Sequence, residues 1–70
     1  MEAKEIFDLI VKADEALKYA TADKMSARAQ RARQLLEQAR DEAARIDNPA
    51  LVQQAKQRLA DLDSTRSPEP

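Results

Sequence analysis

No glycine occurs anywhere in this sequence, and its first proline is Pro49. Those are the two residue types that most reliably interrupt a helix. The chain ahead of Pro49 is instead filled with Ala, Glu, Gln, Arg, Lys and Leu, which are good helix formers. β-Branched residues are few and scattered, and no useful length alternates with period two. The expectation is an all-α chain. What remains open is whether the first part is one long helix or a folded pair.

The phase of the apolar residues bears on that question. Ala3, Ile6, Ile10, Ala13, Leu17 and Ala20 are spaced 3, 4, 3, 4, 3, with Phe7 and Leu9 widening the stripe. Met25, Ala29, Ala32, Leu36, Ala39, Ala43 and Ile46 form a second stripe, spaced 4, 3, 4, 3, 4, 3 as in a heptad seam. The second is out of step with the first by one residue, about 100° around a helix. A continuous helix could absorb the slip as a stutter, at the cost of placing Asp14 and Thr21 in the seam. A turn at 20–23 removes the conflict, with Thr21 or Asp23 as the N-cap of the second helix. Further along, "IDNPALV" sets Asn48, a favoured N-cap, ahead of Pro49, which suits a first helical position. The third helix then presents Leu51, Val52, Ala55, Leu59 and Leu62. The predicted architecture is an antiparallel helical hairpin with a third helix folded back, over 2–20, 22–46 and 49–62. Residues 1–62 form one small domain and 63–70 read as a disordered tail, polar and proline-bearing.

Composition suggests that this domain does not act alone. Apolar residues make up 43% of the chain, but fourteen of them are alanine and only fifteen are large aliphatic, Met or Phe. A core this small predicts self-association, as a homo-oligomer, or a protein partner. The alanine-rich seam of the second helix is expected to be the centre of the packing, under large residues from helices one and three. The same seam with its neighbour is the candidate interface: Met25, Ala29, Ala32, Leu35, Leu36 and Ala39. Lys24, Arg28, Arg31 and Leu35 step 4, 3, 4 beside that seam, and Arg33 and Arg40 lie on its other side. Residues 2–15 are acidic on balance, whereas 18–33 are basic. Lys24, Arg28, Arg31 and Arg33 are therefore candidate electrostatic contacts, flanking a packed seam as at coiled-coil e and g positions and facing the acidic first helix or an acidic partner. Their alternative use is to track phosphates as a nucleic-acid-binding row, although no aromatic residues interleave them.

Other functions find less support. With no histidine or cysteine, no serine has an evident activating base and no thiolate metal site exists. Glu37, Asp41 and Glu42 are the one close acidic group. No catalytic residue, metal or cofactor is assigned, and the protein is expected not to be an enzyme. No apolar run approaches a membrane span, and the start of the chain is acidic rather than basic as in a secretory signal. A cytoplasmic protein is expected. Asp8–Lys12, Asp14–Lys18 and Asp41–Arg45 have the i,i+4 spacing of helix-surface ion pairs.

Ala32, Leu36 and Ala39, with the Asn-Pro turn inside "LEQARDEAARIDNPALVQQAKQRLADL" (36–62), carry a resemblance. Residues 23–62 resemble a tetratricopeptide-like helical repeat, one repeat helix followed by the start of the next. The Trp, Leu, Gly and Tyr signature of the family's first helix is absent. The resemblance implies a protein-interaction module and supplies no ligand residues.

Overall fold

In the computed structural model, which describes residues 1–19 and 21–66, the chain turns back on itself twice. The elements are α1 (Ala3–Lys18), α2 (Met25–Arg45) and α3 (Pro49–Arg66), with one 3₁₀ turn at Ala22–Lys24 leading into α2. No strand occurs among the described residues.

The first turn falls where the two stripes lose phase. Helix α1 ends at Lys18 with Tyr19 as C-cap, its amide bonded back to the Glu15 carbonyl at 3.1 Å. Thr21 is extended, and the Lys24 amide donates to its carbonyl to close the 3₁₀ turn. The capping differs from the expectation. The Thr21 hydroxyl donates to Asp23 Oδ1 at 2.7 Å instead of accepting from a backbone amide, so the two candidate caps hold each other.

The second turn is built as its sequence suggests, around one unexpected backbone position. The Leu51 amide donates to Asn48 Oδ1 at 3.2 Å, making Asn48 the side-chain N-cap of α3 with Pro49 at the first helical position. Before it, the Asn48 amide reaches the Ala43 carbonyl at 2.9 Å and the Asp47 amide reaches Ala44 at 3.1 Å. This pair of bonds is a Schellman closure, which requires a left-handed residue. Asp47 fills that place, with φ at 57°. Aspartate tolerates the left-handed region better than most side chains do, and so the chain makes this stop without glycine.

Helix α2 lies at the centre. Ala29, Ala32, Leu35, Leu36, Ala39 and Ala43 are buried on it. Against them pack Ile6, Ile10 and Ala13 of α1, and Leu51, Ala55 and Leu59 of α3, with Leu9, Leu17 and Val52 partly buried around the edge. Alanines on the central helix let both neighbours approach closely, while the larger side chains come mainly from the flanks. Helices α1 and α3 each pack extensively on α2 and only lightly on each other. The result is a plank of 39 × 23 × 13 Å. No buried side-chain polar atom lacks a partner among the described residues.

One boundary moves. Helix α3 continues to Arg66, past the expected end at Leu62, so residues 63–66 are helical. The remainder of the expected tail, 67–70, and Ala20 of the first stripe lie outside the described residues. The expected i,i+4 ion pairs do not form. Asp14 instead bonds Arg58 of α3, whose Nε lies 3.1 Å from both carboxylate oxygens. Asp41 sits against Arg40 at 3.2 Å, and Arg45 turns to Glu42 at 3.6 Å. Phe7, grouped with the first stripe, is 46% exposed.

Candidate functional site

The structure divides the six seam candidates. Ala29, Ala32, Leu35, Leu36 and Ala39 are buried under the chain's own α1 and α3. The hydrophobic effect covers them within one molecule, so as an interface they are already occupied. Met25, at the start of α2, is 44% exposed and alone remains reachable.

The four cationic candidates also separate. Arg33 points toward α3 and pairs with Asp63. Lys24, Arg28 and Arg31 lie along the opposite flank, exposed, and none of the three makes an ion pair or side-chain hydrogen bond. The row therefore does not clamp the acidic first helix. Asp14–Arg58 ties α1 electrostatically to α3.

What the free cations border is a groove between the second half of α1 and the first half of α2. Its volume is about 360 Å³, and Lys12, Glu15, Ala16, Tyr19, Arg28, Arg31 and Leu35 line it. Ala16 and Leu35 supply an apolar floor. Tyr19 stands at the end of α1, 67% exposed, with Lys18 Nζ 5.6 Å from its ring centroid. Three cations and one carboxylate line the groove, which favours an anionic or acidic visitor.

The basic row was legible as a spacing, but the α1 wall of the groove was not. Lys12, Ala16 and Tyr19 lie at 3-4-3 steps with Leu9, off the core stripe and so easily passed over. The signal that could have found them is this second, weaker periodicity on α1, visible once α1 and α2 are known to be antiparallel.

Among the described residues no three His, Cys, Asp or Glu side chains gather to hold a metal ion. Asp41 and Glu42 are engaged by arginines, as described above. No helix among the described residues is long and apolar enough to cross a membrane. Comparison with known proteins finds no matching family model, no matching curated protein and no matching solved structure. The class defined by fold and groove is thus a three-helix all-α domain with an open, cation-bordered face along its first hairpin.

Proposed function

We propose that this protein is a non-enzymatic docking module that binds protein through the outer face of its α1–α2 hairpin. The observation that carries the reading is the row Lys24, Arg28 and Arg31, left without acidic partners beside an apolar-floored groove. Folding gave Arg33, Arg40, Arg45 and Arg58 carboxylate partners. Cations left free beside half-buried Ala16 and exposed Tyr19 suit a partner bringing both acid and apolar surface. The rhythm of Ala32, Leu36 and Ala39 that resembles a tetratricopeptide-like helix points to the same kind of work, although those side chains serve the core.

Nucleic acid is the rival occupant, because three free cations on one row could track phosphates. The loss of Arg33 to Asp63 weakens that use, and Tyr19 is the one aromatic at the groove. Amide chemical shifts at ~150 mM salt separate the two. A short acidic amphipathic helical peptide, or raised protein concentration, should move Ala16, Tyr19, Arg28, Arg31 and Leu35. Duplex DNA or single-stranded RNA should leave them still. Silence toward both protein probes, or nucleic-acid binding with a steep salt slope, would overturn the reading.

A further inference from the structure

The groove is one end of a longer face. On α2, Lys24, Arg28, Arg31, Leu35, Gln38, Glu42 and Arg45 continue at steps of 4, 3, 4, 3, 4, 3. On α1, Glu2, Glu5, Leu9, Lys12, Ala16 and Tyr19 run at 3, 4, 3, 4, 3. Two antiparallel helices with heptad-type rows side by side make a second seam, outside the core. Its charge changes sign along its length. The turn end carries Lys24, Arg28 and Arg31. The other end carries Glu2, Glu5 and Glu42 against Arg45 and the chain's first amino group, which lie 3.6 Å and 3.9 Å from Glu42, so its balance is acidic but smaller. Leu9 and Ala16, both half-buried, lie between.

A surface basic at one end and acidic on balance at the other is complementary to itself when turned through 180°. A two-fold dimer has this requirement, because the same patch must meet itself with its ends exchanged. Resting on the docking reading above, we propose that the occupant of this face is a second copy of the chain, laid antiparallel. Its Glu2 and Glu5 meet Arg28 and Arg31 of the first copy, and the reverse, while Leu9 of both copies lies near the dyad. The two hairpins stack face to face as two layers of two helices, with each α3 flanking its own α2. At helix dimensions the face is about 25–30 Å long and about 20 Å across, roughly 500–600 Å² per copy. That is the small end of specific interfaces, so the dimer is weak and leans on its charges.

Sedimentation equilibrium between about 10 and 500 µM is the test. At ~50 mM salt the native chain should shift from its 7.9 kDa mass toward twice that. At ~500 mM salt, where charges are screened over about 4–5 Å, the dissociation constant should rise at least about tenfold. Arg28→Glu/Arg31→Glu should abolish the dimer, and Glu2→Lys/Glu5→Lys should do the same. Mixed, these two variants should pair with each other, because every charged contact is then restored. Far-UV circular dichroism reads whether each variant is helical. Should the lysine variant fail to fold, a comparison of Arg28→Gln/Arg31→Gln with the double-Glu variant carries the test, and the reversed charges should weaken association more. A native chain that stays monomeric at 500 µM and low salt overturns the proposal, as does a dimer indifferent to the Glu substitutions. If the monomer nevertheless shows the peptide-induced shifts at Arg28 and Arg31, the second copy is excluded and the docking reading stands. If it shows none, both fail.

Discussion

Asp47 and Asn48 show how a chain without glycine ends one helix and begins another. The left-handed turn falls to Asp47, at φ 57°, and a side chain there costs about 1 kcal/mol or more unless it is small and polar. Asp47→Gly should therefore stabilise the protein by up to about 1 kcal/mol, after the greater freedom of glycine in the unfolded chain is subtracted. Asp47→Val, β-branched at the same position, should destabilise it by about 1–2 kcal/mol. Urea midpoints for the three proteins give the order. Asn48→Ala removes the acceptor for the Leu51 amide and should cost about 1 kcal/mol, read as a melting point lower by roughly 4–8 °C for a domain of this size. By contrast Asp14→Asn, which weakens the half-exposed pair with Arg58, should change stability by less than about 1 kcal/mol.

At the scale of the element, α2 is packed from both flanks with no room to spare. Ala39 is fully buried between larger neighbours, so Ala39→Leu should overpack the seam and cost about 1–3 kcal/mol. Leu36→Ala should open a cavity worth about 2–5 kcal/mol, enough to leave a domain this small substantially unfolded by circular dichroism at 25 °C. These helices were readable because a core stripe is a local pattern. Ile6, Ile10 and Ala13, then Ala29 through Ala43, repeat at helical spacing, and their phase slip located the first turn. Asn48-Pro49 announced the second in two residues. What was hidden is what depends on distant neighbours. Asp14 finds its partner 44 positions away, Arg33 finds Asp63 30 positions away, and no spacing rule reaches that far. The end of α3 was misjudged because Asp63 and the polar residues after it read as coil, while a helix already begun can continue through a polar stretch at little cost. The seam stood as a candidate interface for a related reason. Periodicity identifies a sticky stripe but does not say which helix covers it.

Taken whole, the molecule is a layer of three helices in which α3 completes what the first hairpin starts. It contributes Leu51, Ala55, Leu59 and Leu62 to the buried set. A chain ending at residue 48 should therefore lose cooperative thermal unfolding and associate nonspecifically, with one flank of α2 uncovered. Scanning calorimetry and light scattering of that truncated chain are the checks. Three is also an odd number of helices. The polypeptide accordingly enters the layer at one tip and departs from the other, about as far away as the 39 Å long axis allows. Two cargoes joined to opposite termini would be held apart, as by a spacer bar, where a two-helix hairpin would bring them side by side. Donor and acceptor dyes at positions 2 and 63 would read that separation directly.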